Sequence, residues 1–144
     1  MSPKKKSKRS KKKAKDGLRI IELKDASPLD VGIKGLTLKA LCGATTSIAT
    51  ENLVIGYLFL EPGAQIESHH HDYEEFQYVL SGVGTLEDAN GNITELHPEL
   101  GFYCPKGPEG AHTITNTSDY QMNILFIHST EKGGKMPTLS WSKD

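Results

Sequence analysis

The chain has 144 residues and a mass of 15.8 kDa, the size of one domain with a single hydrophobic core and too short for a second full one. Hydrophobic residues make up 36% and charged residues 24%, with 14 glycines and 7 prolines spread along the chain, which excludes collagen and coiled-coil architectures. No stretch approaches the ~18 consecutive apolar residues of a membrane span, and the two cysteines, Cys42 and Cys104, are too few for a disulfide framework. With no secretory leader read at the start, the reducing cytoplasm is the expected compartment, or the nucleus of a eukaryote if the basic tail acts as a targeting signal.

The net charge of −1 hides a segregation. Residues 1–15 hold nine of the seventeen basic residues and no acid, whereas residues 16–144 carry eight basic and all eighteen acidic residues. A lysine-rich run with so little apolar surface cannot offset its ordering entropy, so residues 1–15 are expected to be a disordered tail, able to bind polyanions weakly through phosphate contacts. An acidic body would itself repel nucleic acid.

From residue 16 onward the apolar positions recur at short intervals between Gly, Pro and Asn, without a sustained 3.6-residue period, and this predicts an all-β domain with its core at about 35–130. The expected strands are Gly35 to Leu41, Leu53 to Leu60, a histidine-bearing segment before Phe76 to Leu80, Val83 to Glu87, Ile93 to Leu96, Gly101 to Cys104, Ala111 to Asn116 and Tyr120 to His128. Asn90-Gly91 between two of them predicts a hairpin tip, because both residues tolerate positive φ. Regular short strands of this number suggest a sandwich or closed barrel. Asn116 is expected to cap a turn over residues 116–119, Cys104 to be a small core residue, and His128 to be a surface histidine rather than a polar group at a cavity rim. Of Tyr57, Phe59, Tyr103, Cys104, Phe126 and His128, about half should face inward. Trp141 should pack back on the body or on a partner subunit.

The chemistry is concentrated in His69-His70-His71. Residues two apart on a strand share a face, so His69 and His71 project together and His70 projects away. A turn through Asp72, Tyr73 and Glu74 would bring Glu75 beside the two imidazoles, and His112 can join them if the strands close into a barrel. Imidazole and carboxylate donors suit Fe, Mn, Zn, Ni or Cu more than Ca or Mg. From the residues alone, a His-X-His is weak evidence for a metal, and an exposed polar run is the commoner reading of the triplet. By the same alternation Gln77 shares the face of Glu75, where its amide could orient a water or a substrate oxygen.

These residues carry a resemblance. Gly63, His69-X-His71, Glu75 and Gly82, with five, three and six residues between the successive elements, resemble the first motif of the cupin superfamily at every position. The second motif is recognisable in Pro105-Lys106-Gly107 and His112 to Asn116, but four residues instead of two separate Gly107 from His112, and Glu99 stands where the motif has glycine. The resemblance covers roughly residues 50–130. It implies a double-stranded β-helix, or jelly-roll, barrel holding one divalent metal ion through His69, His71, Glu75 and His112. It further implies a metal-dependent protein acting on a small molecule, dioxygenase-like or an isomerase or lyase, and a homodimer. The alternatives are a noncatalytic small-ligand or metal-binding module, and a ligand sensor associated with nucleic acid through its tail.

Overall fold

The structure is a computed structural model that describes residues 17–43 and 46–129 and the backbone of 140–141. The expectations for residues 1–15 and for the Trp141 side chain lie outside the described residues.

Eleven strands account for the described regular structure, apart from two single-turn 3₁₀ helices at Leu23–Asp25 and Pro108–Gly110. They are β1 (Pro28–Leu29), β2 (Leu36–Cys42), β3 (Leu53–Leu60), β4 (Gln65–His70), β5 (Glu75–Ser81), β6 (Gly84–Glu87), β7 (Ile93–Leu96), β8 (Gly101–Cys104), β9 (His112–Asn116), β10 (Met122–Ser129) and β11 (Ser140–Trp141). Two antiparallel sheets result, one in the order β1-β2-β3-β10-β5-β8 and the other β11-β4-β9-β6-β7. This is the jelly-roll barrel the motif implied. The chain crosses repeatedly from one sheet to the other, which brings β4 and β5, consecutive in sequence, to opposite sheets.

The core lies between the sheets, where alternate residues of the strands meet. Val54, Leu58 and Leu60 of β3 face Ile66 of β4, Val79 of β5, Leu96 of β7, Ile114 of β9 and Met122, Ile124 and Phe126 of β10 in one buried cluster. The period of two in β3, β5 and β10 makes this packing, and it leaves Ile55, Tyr57 and Phe59, Phe76 and Tyr78, and Leu125 and Ile127 on the outer face of the six-stranded sheet. Gly56 is required by close approach: a Cβ there would lie 2.1 Å from the Phe126 ring, which fills the space over β3.

The predicted hairpin is present. β6 and β7 pair from Gly84↔Leu96 to Glu87↔Ile93, and at the tip Gly91 takes φ +83° while Asp88 accepts backbone N–H bonds from Asn90 and Asn92 at 2.9 Å. Asn116 caps its turn as expected, accepting from the Ser118 N–H at 2.9 Å. It also ties the core, since its fully buried amide donates to the carbonyls of Leu60 and Tyr120 at 2.8 and 2.7 Å. Among the described residues no helix is long and apolar enough to cross a membrane.

Candidate functional site

Two rows of side chains, one from each sheet, meet at one end of the barrel. In the six-stranded sheet the pairing registers His128↔Glu75 and Glu75↔Cys104 set His128, Glu75 and Cys104 side by side across β10, β5 and β8. In the facing sheet His69↔His112 pairs β4 with β9. His71 sits just past β4, in the turn that delivers Glu75 to the start of β5.

Strict alternation along β4 would not seat these histidines. Ile66 pairs with Ile114 and His69 with His112, so three steps along β4 match two along β9. The extra residue is a β-bulge, which changes the parity between Ile66 and His69 and lets both face inward. Beyond the bulge the expected alternation holds, with His69 and His71 buried and His70 only half-buried.

The four residues singled out in the sequence come together. The ring centroids of His69 and His112 are 4.7 Å apart, those of His69 and His71 6.5 Å, and His71 Nε2 lies 3.5 Å from Glu75 Oε1. In each of the three rings Nδ1 is held by a backbone carbonyl two residues away in sequence: Glu67 at 2.9 Å for His69, Tyr73 at 2.9 Å for His71 and Gly110 at 2.8 Å for His112. A carbonyl only accepts, so Nδ1 carries the proton and the lone pair of each neutral ring is on Nε2. His112 Nε2 is buried and, among the described residues, has no hydrogen-bond partner. The longer loop before His112 builds this arrangement, since its 3₁₀ turn presents the Gly110 carbonyl to the ring and the Gly107 N–H bonds the His71 carbonyl at 2.9 Å.

Burial keeps most of the rings neutral. It lowers His69 to about 4, with His112 beside it adding to the shift, and it lowers His112 and His128 as well. Burial also opposes charge on His71 and Glu75, but their mutual hydrogen bond and attraction outweigh it, so His71 is raised and Glu75 lowered. Gln77 adds to the second effect by donating Nε2 to Glu75 Oε1 at 2.7 Å.

Two neighbours were not singled out as site residues. His128, expected at the surface, is 3% exposed; its ring stacks on Phe126 at 6.0 Å and on Tyr73 at 6.3 Å, and lies 6.0 Å from His71. The signal was available in the alternation Met122, Ile124, Phe126, His128, which puts His128 on the inward face of β10. Cys104 is buried as expected, yet it is more than packing: its Sγ lies 3.5 Å from His112 Nδ1, and Glu75, Cys104 and His112 offer donor atoms all within 4.8 Å of one another. Burial first, then the Glu75 charge, push its thiol up to about 12, so it stays protonated. Of the six strand residues in question, Cys104, Phe126 and His128 face inward, and Tyr57, Phe59 and Tyr103 do not.

Beside the cluster opens a cavity of about 320 Å³. His69, His71, Glu75, Gln77 and His128 form its polar wall, Leu36, Leu38, Leu58, Ile66, Ile114 and Phe126 its apolar wall, and the segment Leu29 to Ile33 contributes Asp30.

A sequence profile described as Cupin domain matches residues 56–128. No curated protein matches. Among solved structures the chain is similar to the polyketide cyclase RemF from Streptomyces resistomycificus, at 19% identity and a TM-score of 0.72 over 87% of this chain and 85% of that one. It is similar too to a sugar phosphate isomerase of the cupin superfamily from Silicibacter pomeroyi (20%, 0.70, 88% and 83%) and to an RmlC-like cupin from Shewanella frigidimarina (18%, 0.62, 78% and 91%). At these identities the likeness is one of fold.

Proposed function

The chain belongs to the cupin family, and from that premise we propose that it is a metal-dependent enzyme acting on a small molecule, with His69, His71, Glu75 and His112 holding one divalent ion of the Fe, Mn, Zn, Ni or Cu class. The observation that carries this reading is the orientation of the rings: three Nδ1–H groups tied to carbonyls turn three Nε2 lone pairs to the ligating role, beside a carboxylate kept ionised. Histidines ligating a metal commonly donate their other ring N–H in this way. Three neutral imidazoles and one carboxylate suit such an ion. When bound it would supply Lewis acidity toward a substrate oxygen or, for a redox-active ion, activation of O2.

The chain's own residues do the rest. Gln77 holds the Glu75 carboxylate in place, and Phe126 and Tyr73 fix the plane of His128 at the cavity wall. The cavity next to the cluster favours an enzyme or ligand-binding role over a sealed structural ion. Among the structural neighbours, a cyclase and an isomerase are named for small-molecule conversions, which fits an isomerase or lyase as well as a dioxygenase-like reaction here. The apolar outer face of the six-stranded sheet supports a homodimer. Free thiols at Cys42 and Cys104 fit the cytoplasm, and residues 1–15 are proposed as a weak polyanion-binding tail.

Metal analysis of the purified protein and of five alanine variants tests the site. His69→Ala, His71→Ala, Glu75→Ala and His112→Ala should each strip most of the metal and lower the melting temperature, while His70→Ala should do neither. Wild-type metal stoichiometry in both His71→Ala and Glu75→Ala would sink the proposal. Aerobic substrate screening then separates the reactions: O2 uptake selects the oxygenase, and turnover without it the isomerase or lyase.

A further inference from the structure

Taking the metal site as proposed, we infer that the cavity selects a small amphipathic ligand with an apolar body, a chelating head bearing at most one negative charge, and a hydroxyl that donates to Gln77, and that it rejects phosphorylated molecules. The first support is a polar atom with nothing to bond. Gln77 is 3% exposed and lines the cavity, and its Nε2 is committed to the Glu75 carboxylate at 2.7 Å. The amide cannot be turned around, because that would set oxygen against oxygen. Oε1 is therefore a buried acceptor, and among the described residues it has no donor. A buried acceptor without a partner is costly, and a ligand O–H that reaches it recovers that cost while an analogue lacking the O–H does not.

The second support is the charge of the walls. Among the described residues the cavity is lined by no lysine or arginine, and its acids are Asp30 and Glu75. Phosphate recognition relies on arginine or lysine, or on the N-terminus of a helix. Among the described residues, the helical turn beside the site, Pro108–Gly110, is three residues long and does not line the cavity. A divalent ion with one carboxylate ligand leaves about one positive charge, which a carboxylate or an enolate balances and a phosphate dianion overbalances, with no further cation among the described residues of the wall to offset the excess. The third support is shape and polarity. The cavity of about 320 Å³ lies at the small end of ligand pockets, which run from about 300 to 1,000 Å³, and besides the polar cluster it is walled by Leu38, Leu58, Ile66, Ile114 and Phe126.

The test uses three probes on the full chain loaded with metal: mandelate, which has a carboxylate, a hydroxyl and an apolar ring; phenylacetate, the same without the hydroxyl; and 2-phosphoglycolate. Dissociation constants are measured by calorimetry beside metal stoichiometry. Mandelate should bind most tightly and 2-phosphoglycolate most weakly. In Gln77→Met, with metal retained, the preference for mandelate over phenylacetate should shrink by about tenfold, the value of one hydrogen bond to a buried acceptor. Binding of 2-phosphoglycolate as tight as mandelate overturns the inference, as does no measurable binding of mandelate at millimolar concentration, or an undiminished preference in a metal-loaded Gln77→Met. If that variant misfolds, the rank of 2-phosphoglycolate against mandelate in the unmutated chain still decides the exclusion of phosphorylated molecules. Wild-type protein that holds no metal would instead sink the metal-site reading, a failure visible in the stoichiometry before any probe is added.

Discussion

Glu99 shows how a single position departs from its family pattern and at what cost. The second cupin motif has glycine there, and Glu99 is the non-glycine residue with positive φ, at +70°, among the described residues. Its N–H bonds the Val79 carbonyl at 2.9 Å, which holds the backbone in the left-handed region although the side chain is exposed. An L-residue in that region is disfavoured by about 1–2 kcal/mol, of which the larger unfolded-state entropy of glycine takes back a part. Glu99→Gly should therefore stabilise the protein by about 0.5–1 kcal/mol, read as a higher urea midpoint at unchanged slope. A lower midpoint would mean that the exposed side chain does something its surroundings do not reveal.

At the scale of elements, the site is made by register rather than by any one strand. The bulge in β4 turns His69 and His71 inward, the 3₁₀ turn at Pro108–Gly110 orients His112, and the pairing of β5 with β10 and β8 sets Glu75 between His128 and Cys104. The β6–β7 hairpin lies apart from this machinery, and its tip can be perturbed separately. Gly91→Val puts a β-branched residue at φ +83° and should destabilise by about 1–2 kcal/mol without loss of metal. Two or three glycines inserted at the same tip should be tolerated, because loop closure grows slowly in cost with length. Cooperative unfolding on that insertion would show that the tip is not a simple surface turn.

The whole molecule concentrates buried histidines in one place, and this makes the metal-free protein acid-sensitive. His69, lowered from 6.5 to about 4, and His112 and His128, also lowered, stay neutral in the fold while the unfolded chain protonates them. Between pH 6.5 and about 4 the unfolded chain thus binds more protons, so stability is full above 6.5 and is lost as pH falls through that window. His71, which is raised, works oppositely: its contribution is full below 6.5 and is lost as pH rises through its folded value. Glu75, lowered from 4.5, contributes above that value and loses its contribution as pH falls through its own lowered one. Three rings against one should lower the melting temperature of metal-free protein from pH 6.5 toward 4.5, and a flat profile there would contradict the burial of the cluster. On the outside, Phe76 at 43% exposure stands beside Tyr78, Leu125 and Ile127. If a second copy covers that face, Phe76→Lys should turn a dimer into a monomer in light scattering at unchanged metal content, whereas an unchanged mass would move the interface elsewhere.

The alternation of apolar residues in Leu53 to Leu60 and Met122 to His128, the Asn90-Gly91 turn and the spacing of His69, His71 and Glu75 were sufficient by themselves for an all-β sandwich or barrel and for grouping those three side chains. These are local properties, set by a period of two, by positive φ and by a short turn, and they need no knowledge of which strands pair. The inward turn of His69 past the bulge, the strand registers that set the inward-facing His128 and Cys104 on either side of Glu75, and the hydrogen bond that leaves Gln77 Oε1 bare were decided by tertiary structure alone. Strand register is a contact between segments tens of residues apart, and a shift of one residue exchanges every inward side chain for its outward neighbour, so no reading along a single strand can supply it.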